Sequence, residues 1–209
     1  MITLTAIIIT ITAVVSILGF RSEEQLGKLL FAPYYMEEPR QWYRFITHGF
    51  VHADWSHLIF NMMSLYFAGE IAEDVILQVK GPELGRVWFI TLYILGILVS
   101  SIPSYIRNRN NPDYRSLGAS GAVSSVIFFF IMFFPLAKIN IMFIPIGIPA
   151  WIFGILYLVY EYYMDKRQYG RIAHDAHFFG ALFGIVFAIV IYPKVIIEFI
   201  FQVKGALGA

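Results

Sequence analysis

The chain of 209 residues contains no cysteine, which excludes disulfides and thiolate metal sites. Charge is scarce. Asp, Glu, Lys and Arg make up 14% of the residues, against about 25% in a soluble domain. The formal net charge is +1, so nothing in the balance calls for a nucleic-acid partner. Internal repeats, low-complexity tracts and long polar stretches are also missing. What the chain has is apolar bulk: 59% of it is hydrophobic, and its mean hydropathy is +0.70. These values place it among membrane proteins before any motif is read.

A membrane helix needs about 20 mostly apolar residues. Six candidates run over Ile2–Phe20, Trp55–Ala72, Val87–Ser104, Ala119–Phe134, Pro149–Tyr163 and Ala176–Tyr192. The first opens as MITLTAIIITITAVVSILGF, with no basic residue ahead of its apolar core and no clear cleavage site. It therefore reads as a retained membrane helix and not as a removable signal peptide. Leu136–Gly147 is apolar too, but Pro135, Pro145 and Pro149 break it and Lys138 and Asn140 interrupt it. It reads as an interfacial connector, with Pro149 in the first turn of the fifth helix. Pro193 ends the sixth helix, and Lys194–Lys204 is expected along the membrane surface. The expectation is an all-α integral membrane protein, one six-helix domain over residues 1–209, in contact with the lipid bilayer.

Ionisable residues inside membrane spans are rare and functional by default. All five histidines fall near helix starts: His48, His52 and His57 before or in the second, His174 and His177 at the sixth. Ser120-Gly121 opens the fourth. Even-numbered helices cross in one direction, so their N-terminal ends share a leaflet. Topology alone thus brings three separated polar clusters to one depth. A serine hydroxyl becomes a nucleophile when a base takes its proton, and a neutral histidine about 3 Å away is such a base. Ser120 would also lie beside free helix N–H groups suited to an oxyanion. His57 and Asn61 share a helix face and can donate to the same oxyanion. His177 precedes Gly180 and Gly184, a G-x-x-x-G that lets helix backbones approach. Asp175 lies two positions from His177 and points elsewhere around the helix, so a Ser–His dyad fits better than a triad. His174 reads as a loop or interfacial residue.

These residues resemble the rhomboid family of intramembrane serine proteases, over about Trp42 to Gly184. The family's G-x-S-G appears as Gly118-Ala119-Ser120-Gly121. Its histidine–asparagine motif appears as His52, His57 and Asn61 in HADWSHLIFN. Its A-H-x-x-G-x-x-x-G appears as Ala176-His177, Gly180 and Gly184. Trp42-Tyr43-Arg44 is similar to a W-x-R element of the first loop, and Glu73, after the second helix, is similar to a family glutamate. The resemblance implies a rhomboid-like bundle of six transmembrane helices with a partly membrane-embedded first loop. It implies Ser120 as nucleophile, His177 as base, and His57, Asn61 and the Ser120 N–H as the oxyanion site. His52, Gly118, Gly121, Gly180, Gly184, Arg44 and Glu73 would support them. The substrate would be a transmembrane segment of another protein, with no metal or organic cofactor.

One position departs from the family. The aromatic residue that usually follows the nucleophile by four, stacked on the base, is here Ser124, and Phe178 or Tyr169 would have to replace it. Ser125 stands where alanine is usual. Two other functions compete: a rhomboid-like protein that binds membrane helices without cutting, and a metal enzyme using His48 and His52 at i, i+4 spacing. For orientation, Arg21, Lys28, Arg40, Arg44, Arg107, Arg109, Arg115, Lys166, Arg167 and Arg171 lie on the side of the serine and histidines, against Lys80, Arg86, Lys138, Lys194 and Lys204 on the other. The positive-inside rule puts the first side in the cytoplasm. Bacterial relatives resembling this chain face outward, and the expectation follows them: a bacterial inner membrane with the site toward the outer face.

Overall fold

The computed structural model describes residues 2–140, 147–167 and 173–208, the side chain of Arg167 excepted. Along them run α1 (Leu4–Phe20), α2 (Glu23–Leu29), α3 (Arg44–Thr47), α4 (Trp55–Lys80), α5 (Pro82–Asn108), α6 (Ser120–Phe133), strands β1 (Lys138–Asn140) and β2 (Gly147–Pro149), then α7 (Ala150–Arg167), α8 (His174–Ile191) and α9 (Val195–Leu207). All six apolar segments are helical. By length and composition, two described helices, α5 and α8, are apolar enough to cross a membrane, and α1 and α6 are shorter apolar helices. The other two candidates, α4 and α7, carry glutamates that the bundle buries: Glu73 and Glu161 are each 4% exposed.

Several boundaries differ from expectation. Helix α4 continues past Ala72 to Lys80 and stops at Gly81, whose φ of 78° suits glycine. Pro82 then opens α5, where a missing N–H costs nothing. At the described ends of the apolar connector after α6, Lys138–Asn140 and Gly147–Pro149 pair antiparallel, Lys138 opposite Pro149 and Asn140 opposite Gly147, while the break read at Pro145 lies outside the described residues. Pro149 therefore closes β2, and α7 starts one residue later. The tail is a helix, α9, with Ile197, Phe201 and Leu207 exposed.

Helix α1 is inverted relative to a soluble amphipathic helix. It buries Thr5, Thr12, Ser16 and Gly19, while Ile7, Ile11, Val14 and Leu18 are exposed. Small polar residues face protein and branched apolar ones face outward, the pattern of a helix in lipid. Glu73 does not follow the second helix as expected. It lies inside α4 and accepts from Leu4 N (2.9 Å), Thr5 N (2.8 Å) and Thr5 Oγ1 (2.8 Å). It thereby satisfies free donors at the N-terminus of α1.

Helix α6 packs against α4, α5, α7, α8 and α9. Small residues permit this. A Cβ at Gly121 would run into Ser100 of α5, and one at Gly96 would lie 2.9 Å from Ser125 Oγ. On the other flank, a Cβ at Gly180 would overlap the Gly121 carbonyl, and one at Gly184 the Ser125 carbonyl. Gly180 and Gly184 bring α8 backbone against α6 backbone, and Gly96 and Gly121 make room for serine side chains between α5 and α6, so the three helices interlock with little room to slide.

Candidate functional site

The site begins at the turn into α6. Gly118 has φ of 122°, a conformation side chains rarely adopt. A Cβ there would also lie 2.6 Å from Cε1 of His57. The Gly118 N–H donates to the His48 carbonyl (2.9 Å), and the Ala119 N–H donates to Nε2 of His52 (3.3 Å). Ala119 is the N-cap, its carbonyl accepting from Val123 N (2.9 Å). The N–H groups of Ser120, Gly121 and Ala122 thus have no acceptor inside the helix.

His52 must be neutral to hold Ala119. Its Nε2 accepts, so Nδ1 carries the proton and donates to Ser16 Oγ (2.9 Å), which donates to the Phe50 carbonyl (3.0 Å). A hydrogen-bonded path therefore runs from α1 to the residue before Ser120. Burial lowers the pKa of His52 to about 3, with His57 adding to the effect, and lowers that of His48 to about 4. His48 belongs to a 3-10 turn and packs on Phe31 (5.0 Å between rings), while His52 lies beyond that turn. The i, i+4 helical pairing needed for the metal reading is not formed.

Across from α6, His177 Nε2 lies 2.7 Å from Ser120 Oγ. Both residues are half-buried, whereas Ser124 and Ser125 are buried. Ser125 Oγ donates back to the Gly121 carbonyl (3.0 Å), and Ser124 Oγ is hydrogen-bonded to Tyr157 OH (2.7 Å). The aromatic partner at Ser124 comes from α7. Phe178 packs instead on Tyr162 and Phe179, and Tyr169 lies outside the described residues.

The other expected donors are nearby. His57 sets its ring edge-on to His52, 4.9 Å between centroids, above Gly118. Buried Asn61 donates one amide hydrogen to the His57 carbonyl (2.9 Å), so its second hydrogen is what remains for a ligand. Arg44 is a brace. It donates to the carbonyls of Gly27 (2.9 Å) and Leu30 (2.7 Å) and to Gln41 Oε1 (2.7 Å), tying the first loop to the end of α2.

One residue was missed. Glu161 of α7 meets both histidines: Oε1 lies 3.1 Å from His177 Nδ1, and Oε2 lies 2.6 Å from His174 Nδ1. A carboxylate thus lies within hydrogen-bond reach of His177 where a dyad without an acid was expected, and His174, read as a loop or interfacial residue, is not in a loop but buried in the first turn of α8. Asp175 does point elsewhere, accepting from Ser104 Oγ (2.6 Å) and from Ala176 N (2.8 Å). The signal for Glu161 was present as a lone carboxylate within YLVYEYYM, and intramembrane charges mark function by default. Among the described residues, the ligand atoms of Glu161, His174 and His177 lie within 4.8 Å of one another and form a set that can hold a metal ion. The hydrogen bonds already satisfy them without one.

A family model for the Rhomboid domain matches residues 39–194. Similar proteins include "RHOMBOID-like protein 12, mitochondrial" of Arabidopsis thaliana, 29% identical over 152 residues, covering 65% of this chain and 42% of that protein. Another is "Putative rhomboid protease YdcA" of Bacillus subtilis, 31% identical over 83 residues, covering 40% of this chain and 37% of that protein. A third is "Rhomboid-like protein 11, chloroplastic" of Arabidopsis thaliana, 33% identical over 82 residues, covering 39% of this chain and 26% of that protein. The chain spans less than half the length of these curated relatives. Two of them carry organellar names, so the expectation of a bacterial inner membrane finds no support in them.

Proposed function

This chain belongs to the rhomboid family, and from that premise we propose that it is a serine endopeptidase cutting transmembrane segments of other membrane proteins inside the bilayer. Rhomboids are integral membrane proteins. The observation that carries the reading is the 2.7 Å approach of His177 Nε2 to Ser120 Oγ at the start of α6. His177 takes the Ser120 proton as Oγ attacks the scissile carbonyl. The oxyanion then lies near the Ser120 N–H, with His57 and the free Asn61 hydrogen as further donors. His177 passes its proton to the leaving amine. Water, deprotonated by the same imidazole, releases the acyl group from Ser120. No metal or organic cofactor enters this scheme.

The length of α6 supports a site below the membrane surface. Fourteen residues span about 21 Å, short of the roughly 30 Å hydrocarbon core. With its C-terminal end at one face, α6 brings its N-terminus and Ser120 short of the other. We read α1, α4, α5, α6, α7 and α8 as a six-span bundle forming one unit, with the segment between α1 and α4 partly in the membrane.

The test is cleavage of a fluorescent reporter carrying a transmembrane segment, in detergent micelles. Wild type should cleave it. Ser120→Ala and His177→Ala should each lose at least about 10³-fold, since removing either partner leaves only binding and the oxyanion donors. Reporter binding without cleavage by all three proteins would instead identify a member that holds membrane helices without cutting.

A further inference from the structure

We propose that Glu161 is a positioning residue for His177, so that Ser120, His177 and Glu161 form a triad carried by α6, α8 and α7. The proposal rests on the protease reading above. A carboxylate that is 4% exposed in an apolar bundle needs partners. Glu161 has one for each oxygen, His177 Nδ1 at 3.1 Å and His174 Nδ1 at 2.6 Å. An ionised carboxylate only accepts, so both imidazoles turn a protonated Nδ1 toward it.

For His177 this choice decides the chemistry. With the proton on Nδ1, Nε2 is a bare lone pair 2.7 Å from Ser120 Oγ. The other tautomer would carry N–H on Nε2 and leave Ser120 without a base. Glu161 thus selects the working tautomer, fixes the ring plane and steadies the imidazolium that forms when Ser120 gives up its proton. The proton stays on His177 until the leaving amine takes it, and Glu161 remains a carboxylate throughout. His174 holds the second oxygen and prevents the carboxylate from rotating away.

The registration of α7 fits this role. Tyr157 lies one turn before Glu161, on the same face, and its hydroxyl is bonded to Ser124 Oγ at 2.7 Å. That bond sets the depth of α7 against α6. Ser124 stands where rhomboids usually carry an aromatic residue stacked on the base. Here the support for His177 comes from a carboxylate on another helix. Because α6 and α8 interlock without α7, a shift of α7 removes Glu161 from His177 while leaving Ser120 and His177 on their own packed helices.

The competing reading is that Glu161 only anchors the start of α8 through His174. Cleavage of the reporter by wild type, Glu161→Gln, Glu161→Ala, Glu161→Asp and His174→Ala separates the two, with thermal midpoints recorded for each. Glu161→Gln should lower kcat by about 10²–10⁴-fold with KM unchanged, and more than His174→Ala, which keeps the bond to His177. Formate should restore part of kcat to Glu161→Ala, and chloride should not. If Glu161→Gln does not fold, the formate response of Glu161→Ala and the activity of Glu161→Asp decide. Wild-type kcat in Glu161→Gln, equal losses in Glu161→Gln and His174→Ala, or no formate response alongside an inactive, folded Glu161→Ala would overturn the proposal. Ser120→Ala separates the two failures. If Ser120→Ala is dead while Glu161→Gln is fully active, only the role of Glu161 falls. If Ser120→Ala still cleaves, the protease reading falls.

Discussion

At Gly180 the working feature is a missing side chain. Its α-carbon faces the Gly121 carbonyl so closely that a Cβ would overlap it, one residue from the nucleophile proposed here. Gly180→Ala should push α8 off α6 and lengthen the Ser120–His177 contact. A shift of about 1 Å at such a site can cost roughly 10²-fold in rate, so kcat is expected to fall by that order. Gly27→Ala is the control, because a Cβ there meets nothing within 4 Å. Equal activity of the two variants would show that the close approach does not set the reaction geometry. Gly180 was legible in the sequence because G-x-x-x-G carries its own geometric meaning. The place of Glu161 beside His177 was not, because its partner lies on another helix and nothing within α7 says which face meets α8.

At the scale of elements, the segment between α1 and α4 works as a hydrogen-bonded brace. Arg44 ties it to α2, His48 accepts from Gly118 through its carbonyl, and His52 joins Ser16 to Ala119. Burial holds His48 and His52 neutral, with pKa values lowered to about 4 and about 3. The sign of the pH dependence follows. Below about pH 6.5 the unfolded chain binds protons that the folded chain refuses, so stability rises with pH across this window and is lost as pH falls from about 6.5 toward 4. The thermal midpoint in detergent should therefore drop between pH 7 and pH 5, and His48→Gln, which does not titrate, should flatten that slope. A midpoint independent of pH in wild type would show that these imidazoles do not stay neutral. The sequence placed the histidines at this end of the bundle. It did not show that His52 faces two helices at once, since the loop that aims it has no periodicity to read.

On the scale of the whole molecule, the burial pattern separates lipid-facing from protein-facing surfaces. Helix α1 turns threonine and serine inward and isoleucine, valine and leucine outward. The chain has no cysteine, so single cysteines can report topology without background. Asn110→Cys lies just beyond α5 and Glu83→Cys lies in its first turn, both exposed. A membrane-impermeant maleimide should label them from opposite sides. Labelling of both from one side would show that α5 does not cross. Labelling of Asn110→Cys from the cytoplasm alone would show that the Lys and Arg distribution sets the orientation.

The sequence by itself determined that the chain is apolar and helical, where six of the helices lie though not where α4 and α5 end and begin, and that serine, histidine and glycine motifs of a rhomboid lie at helix starts. Those properties are local: apolar length, breakers such as Pro135 and Pro193, and short motifs read directly from the chain. The tertiary structure decided what those residues meet. It put Glu73 on the N-terminus of α1, Tyr157 on Ser124, and Glu161 between His174 and His177. Each of these contacts joins residues on different helices, and which faces meet depends on how the helices rotate and pack. That rotation is set by the glycine, alanine and serine surfaces of all the neighbours together, and no single segment encodes it.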